Sequence, residues 1–164
     1  MIAQKPIIDD ELVVAEKFIN YINKKENKDF IIPFHPDDSA FDAESYSKSN
    51  PKKKLKMEIV KSDFGAHKEL GRKGKYIKFR NAEEKIQEII IKPVIHKSRK
   101  NKYSPDFKKD NILLIDGWWT LYEDELNHFK DKYLNSYEFL EKAGFKEIWF
   151  IGMKDDGPVY KLYP

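Results

Sequence analysis

The residues whose types and spacing could do chemistry are two acids, Asp42 and Glu58, with fifteen residues between them. The runs Phe41–Ser47 and Leu55–Lys61 flank a polar stretch, Lys48–Lys54, that holds an Asn-Pro turn. Two strand-like runs joined in this way read as a β-hairpin. Side chains on a strand alternate faces with a period of two. Asp42, Glu44 and Tyr46 therefore share one face of the first arm. On the second arm Lys56, Glu58 and Val60 share one face, and Leu55, Met57 and Ile59 form the apolar one. Closure around Ser49–Lys52 sets Asp42 across from Glu58 at the open end. Converging carboxylates repel unless a cation or a proton sits between them. Mg²⁺ and Mn²⁺ take one or two such oxygen ligands and keep positions for water and a phosphate oxygen. The plainer alternative is that Asp42 caps its strand and Glu58 pairs with a hairpin lysine.

No other motif competes. Cysteine is absent, which excludes thiol nucleophiles, redox pairs, iron–sulfur sites and cysteine zinc sites. His35, His67, His96 and His128 are scattered without metal-ligand spacing, and His35 lies at most at the rim of the site. The basic stretch Gly71–Lys75 does not match a phosphate-binding loop, and no serine sits in a nucleophile elbow. Asp116-Gly117 ends an apolar run and reads as a turn. Adjacent Trp118 and Trp119 read as packing, with base stacking or a protein interface as the functional alternatives.

The elements that position the two acids follow from the apolar pattern. Leu12, Ala15, Ile19 and Ile22 mark one face of a helix over 9–25. Asp29–Phe34, stopped by Pro33 and Pro36, reads as an edge strand. After the hairpin, residues 62–81 read as a glycine-bearing loop with a short strand at Tyr76–Phe79. Ala82–Lys100 returns to helical spacing, with a kink expected at Pro93. Asn101–Asp110 reads as a loop, and Asn111–Asp116 as a strand buried on both faces. Glu123–Ala143 reads as a helix closed by Gly144 at C′. Lys146–Gly152 and Pro158–Tyr163 complete the order α-β-β-β-α-β-α-β-β. The expected fold is α/β (α+β), a single domain over 1–164 with a mixed central sheet flanked by helices. Tyr160 and Tyr163 on the last strand offer a homodimer contact along the sheet edge.

Composition agrees with such a domain: 40% of the 164 residues are apolar and 36% charged. Runs such as Ile112–Ile115 fall far short of the ~20 residues a bilayer requires, and Met1–Val14 lacks a signal-peptide pattern. A soluble, cytoplasmic protein without membrane contact is expected. The net charge of +3 conceals a division into segments of −5 (residues 1–47), +9 (48–80), +3 (81–110) and −4 (111–164). A basic block of this kind suits a polyanion partner, although lysines also solvate hairpin tips.

A helix, a strand, a hairpin, a helix and a strand, with an Asp entering the second strand and a Glu in the middle of the third, resembles the restriction-endonuclease-like superfamily, the PD-(D/E)xK nucleases. The resemblance covers roughly residues 9–116, or to about 152 with the last helix and strand. The motif match is Asp42, fifteen residues, then Glu58-Ile59-Val60. Asp37, of the Pro36-Asp37 pair, is a second candidate for the Asp, and Glu16 best matches the metal-assisting Glu of the first helix. The family's lysine, two residues after the Glu, is replaced by Val60, and Lys61 points to the opposite face. Either another element supplies the lysine, with Lys97 on the face of Ile86, Ile90 and Pro93 and Lys92 on a neighbouring one, or the site is degenerate. A lysine snorkelling at a helix end is the structural alternative for Lys97.

The resemblance implies a metal-dependent nuclease acting on DNA phosphodiesters. Asp42, Glu58 and the Ile59 carbonyl would hold Mg²⁺ or Mn²⁺. Lys97 would orient water or stabilise charge at phosphorus, with Glu16 assisting. Lys52, Lys53, Lys54, Lys56, Arg99, Lys100 and Lys102, together with Lys97, would grip the backbone. Two alternatives stand beside it. One is a catalytically inactive relative that binds nucleic acid or protein. The other is an unrelated interaction module in which Asp42 and Glu58 are surface residues.

Overall fold

The computed structural model describes residues 10–37, 41–61, 81–99, 104–117, 121–132, 134–153 and 157–164. Its frame is a mixed five-stranded sheet between helices. The chain runs α1 (Asp10–Lys25), β1 (Ala43–Tyr46), β2 (Lys54–Lys61), α2 (Ala82–Ile86), a π-helical turn (Gln87–Ile91) and α3 (Lys92–Ser98). It continues through α4 (Pro105–Asp110), β3 (Asn111–Gly117), α5 (Glu123–Lys132), α6 (Leu134–Ala143), β4 (Glu147–Gly152) and β5 (Val159–Tyr163). The strands lie in sequence order, β1-β2-β3-β4-β5. The β1–β2 and β4–β5 pairs are antiparallel, and the two inner pairs, joined through helices, are parallel. This is the α+β class with the mixed sheet expected from the sequence.

Each face of the sheet carries its own core, because the inner strands place apolar residues on both faces. On one face Val14, Phe18, Ile19 and Ile22 of α1 pack on Met57, Ile59, Leu114 and Trp149. Phe18 meets Trp149 edge to face, with ring centroids 5.1 Å apart. On the other face Ile86, Ile90, Val94, Phe129 and Leu140 cover Val60, Leu113, Ile115 and Phe150. Strand alternation assigns each residue to its layer, and this assignment decides where the acids go. Met57 and Ile59 face α1, so Lys56, Glu58 and Val60 face the helices that follow the hairpin.

Several elements differ from the sequence expectation. Asp29–Phe34 is not a strand: it touches β1 through isolated antiparallel bridges, Phe30 with Ser47 and Phe34 with Glu44. One more residue separates the bridges on this segment than on β1, so the ladder is offset around Ile32 and Pro33, where proline lacks a donor. The helix predicted over 82–100 is interrupted, but by a π-turn rather than by a simple kink. The Lys92 N–H reaches the Gln87 carbonyl five residues back, directly before Pro93, whose ring cannot donate to Ile89 and crowds that carbonyl. The loop assigned to 101–110 contains α4, whose start is encoded by Ser104 as N-cap and Pro105 at the first position. The single helix over 123–143 is described as two, α5 and α6, with Gly144 past the end at φ 87°. The expected strand Tyr76–Phe79, the turn Gly71–Lys75, the Trp118-Trp119 pair and the basic residues Lys100 and Lys102 lie outside the described residues.

The hairpin that carries the acids is fixed at its tip by Asp29. Its carboxylate accepts from the Ser47 hydroxyl at 2.5 Å and from the Ser49 N–H at 2.8 Å. Hydrogen bonds from the Ser47 and Ser49 side chains, then from the Ser49 backbone, lower its pKa from 3.8 to about 2. A depressed carboxylate pKa contributes stability above its unfolded value and loses it as pH falls through the folded one. Amide exchange at Ser49 should therefore stay protected above pH 3.8 and lose protection toward pH 2. In the Asp29→Asn variant that dependence should be absent, which exchange measured by NMR would read directly.

Candidate active site

Asp42 and Glu58 meet as the hairpin register requires. Ala43 pairs with Met57 at the end of the ladder, and Asp42 lies just beyond it, on the Glu58 side. The Asp42 N–H donates to the Met57 carbonyl at 3.1 Å. Beyond that point the side chain of Asp42 replaces the ladder: its Oδ2 accepts the Ile59 N–H at 2.8 Å. This bond aims the carboxylate at β2 and holds the open end together. From the other side, His35 Nδ1 donates to the Asp42 carbonyl at 2.6 Å. His35, read from the sequence as no more than a rim residue, thus helps position the acid.

Glu58 sits in the middle of β2 at 0% exposure, whereas the Asp42 side chain is 21% exposed. A buried carboxylate requires a charged partner. Lys97 is that partner. It lies one turn beyond the buried Pro93 and Val94 of α3. Its Nζ stands 3.1 Å from Glu58 Oε2 and 3.5 Å from Asp42 Oδ2, with 9% of the side chain exposed. The ammonium bridges both acids, and the three side chains form one partly sealed cluster. Val60, in the sequence position where the resemblance leads one to expect the lysine, is buried against the α2–α3 face. Helix α3 crosses the same face of β2 and delivers a lysine from above.

The other candidates separate clearly. Glu16 is exposed on α1, the layer on the opposite face of the sheet from Glu58, so the structure does not bring it to the cluster. Asp37 is exposed in a turn. Lys92 points outward and pairs with Glu88. Lys52, Lys53 and Lys54 are exposed at the hairpin tip, Lys56 is half-buried with its ammonium 5.5 Å from the Phe41 ring, and Arg99 is exposed just past α3. Lys54 and Lys56 share the Glu58 face of β2 and form a basic row that leads from the tip to the acids, ~13 Å over four residues. A residue not singled out from the sequence is Asn111, buried beside Lys56 in register. Its Oδ1 accepts no hydrogen bond among the described residues. Its place directly before the apolar run Ile112–Ile115 was the available signal.

The donors fit a hard divalent cation. They are all oxygens: the two carboxylates and the Ile59 carbonyl, which lies on the Asp42 side of β2 because a strand residue's N–H and C=O point the same way. Two carboxylates and one ammonium leave a formal charge of −1, which a cation with retained waters would neutralise. Among the described residues no group of three or more His, Cys, Asp or Glu is placed to hold a metal, so the set is limited to these ligands plus water. Comparison with protein-family models, curated proteins and solved structures finds no match to this chain. No helix among the described residues is long and apolar enough to cross a membrane.

Removing one partner of a buried ion cluster strands the rest. Lys97→Met should destabilise the fold by about 3 kcal/mol at neutral pH, in the range for breaking a buried pair. The double variant Lys97→Met/Glu58→Gln should recover much of that loss. Urea unfolding of the four proteins in a double-mutant cycle measures both numbers.

Proposed function

We propose that the protein is a restriction-endonuclease-like, metal-dependent nuclease that cleaves DNA phosphodiesters at the Asp42–Glu58–Lys97 cluster. The observation that carries this reading is the convergence of Lys97 on both acids from a helix that follows the hairpin. The sequence motif lacks its lysine at Val60, and the ammonium is nevertheless present at the carboxylates. The order of α1, the bridged segment at Phe30–Phe34, the hairpin, α2–α3 and β3 adds support, since Asp42 enters the second and Glu58 lies within the third of the successive sheet segments.

Asp42, Glu58 and the Ile59 carbonyl would hold Mg²⁺ or Mn²⁺. Bound there, the ion supplies Lewis acidity toward a phosphate oxygen and lowers the pKa of a water. Asp42 orients the open end of the site through its bond to the Ile59 N–H. Lys97, freed from charge-balancing the acids alone, donates to the attacking water or to the phosphate oxygen on which charge develops. Lys54 and Lys56 neutralise neighbouring phosphates along the hairpin, and Lys52, Lys53 and Arg99 extend that contact without sequence readout.

One observation favours a second reading. Lys97 already pairs with one oxygen of each carboxylate, as in a structural ion cluster, and this suits a catalytically inactive module that binds nucleic acid or protein. Glu58 is not the surface residue that the third alternative supposed, being completely buried.

Nicking of supercoiled plasmid separates the two. The nuclease reading expects cleavage that requires Mg²⁺ or Mn²⁺ and stops with chelator. Asp42→Asn, Glu58→Gln and Lys97→Met should each lower the rate by about 100-fold or more, and Glu16→Gln should leave it within about twofold, as for an exposed residue outside the machinery. Val60→Lys added to Lys97→Met should restore part of the lost rate. Binding of plasmid without cleavage under any metal condition would establish the inactive module.

A further inference from the structure

A second basic surface lies at the far edge of the sheet. Around β5 the chain forms an open cleft of about 820 Å³, a volume within the usual range for a small-molecule site. It is reached from both layers: Lys17, Lys24 and Lys25 come from α1, Lys130 and Glu123 from α5, and Lys161 from β5 itself. Among the described lining residues five lysines outnumber one carboxylate, and Lys161 also pairs with Glu147 at 3.6 Å. The acidic composition of the chain's last third makes this concentration of positive charge unexpected from sequence, since it is assembled from three elements distant along the chain.

The walls between the lysines are aromatic. Tyr21 on α1, Trp149 on β4 and Tyr160 on β5 line the cleft, and Tyr21 meets Trp149 edge to face at 6.0 Å. The Lys161 ammonium is 5.5 Å from the Trp149 ring and Lys130 is 5.2 Å from Tyr160. Trp149 is buried beneath Lys161, whereas Tyr21 and Tyr160 are half-buried; the lysines offer a cation for phosphate and the two tyrosines a surface for a planar group. Burial, and then the neighbouring charge of Lys161, lower the pKa of Lys130. The charged form of Lys130 is therefore disfavoured, and an anion beside it would favour that form.

We propose that this cleft binds a nucleotide, its phosphate among the lysines and its base against the aromatic wall, either free or as one unit of a nucleic-acid strand. The site goes beyond the cleavage reading. It lies four strand spacings, ~19 Å, from β1, and the argument holds whether or not Asp42 and Glu58 act on phosphodiesters.

The test is titration of the full chain with AMP, with ATP and with a short single-stranded oligothymidylate, followed by calorimetry in low salt. The Lys130→Gln/Lys161→Gln variant changes only partly exposed side chains, and circular dichroism checks its fold. We expect binding to the wild-type protein that the double variant weakens about tenfold or more. Binding of AMP and ATP identifies a free-nucleotide site, and binding of the oligonucleotide alone identifies a strand contact. Either supports the proposal. It is overturned if the wild type binds none of the probes at millimolar concentration, or if the double variant weakens binding by less than about threefold. Loss of plasmid cleavage with this binding intact would remove the nuclease reading and leave the cleft standing.

Discussion

The burial of Glu58 is the constraint on which the rest of this structure depends. An ionised carboxylate in the middle of a strand, covered by a helix, cannot stand alone in a low-dielectric layer. Lys97 answers it at 3.1 Å, and Asp42 shares the same ammonium at 3.5 Å. That contact ties α3 to β2 and to the hairpin's open end. It also places a cation in the one part of the apolar layer where the sheet carries a charge. A buried ionic cluster is a weak source of stability compared with an apolar replacement of the same volume.

The two-sided sheet gives that cluster its setting. Because β3 and β4 are buried on both faces, the helices cover the sheet completely at its centre, and exposure returns only toward the edges. The acids lie where β1 stops short and the Asp42 side chain takes over the ladder bond to the Ile59 N–H. Shortening β1 by one pair at this end creates a partly open site between an edge strand and a buried one. The same logic operates at the opposite edge, where β5 leaves an open cleft lined by lysines. Charged and polar clusters therefore gather at the two margins of a sheet whose centre is committed to packing.

Much of this was legible from the residues. The hairpin around Asn50 and Pro51, the approach of Asp42 to Glu58, and the separation of Met57 and Ile59 from Glu58 and Val60 all follow from a period of two. The mixed sheet follows from the alternation of hairpin and crossover. Lys97 was legible as a residue on the face of Ile90 and Pro93, but its contact with the acids was not, because sequence spacing says nothing about how a helix docks on a strand. The π-turn at Gln87–Ile91 was hidden for a related reason: Pro93 announces a disturbance without saying whether the helix kinks or widens. Asp29–Phe34 reads as a strand by composition and is reduced to bridges by Pro33. Helix α4 was missed although Ser104-Pro105 encodes its start, since six residues carry too little periodicity to outweigh a charged, polar stretch. Glu16 illustrates the limit of motif transfer, because its helix packs on the wrong layer to meet Glu58.

The central claim is that the acids and the lysine form a cation site as well as an ion pair. Diffraction from crystals soaked in Mn²⁺, recorded at the manganese edge, tests it most directly. The account predicts an anomalous peak about 2.2 Å from oxygens of both Asp42 and Glu58, with the Lys97 ammonium displaced toward solvent but still beside the ion's water shell. The absence of any peak there at millimolar Mn²⁺, with Lys97 still bridging the two carboxylates, would contradict it and identify the cluster as structural.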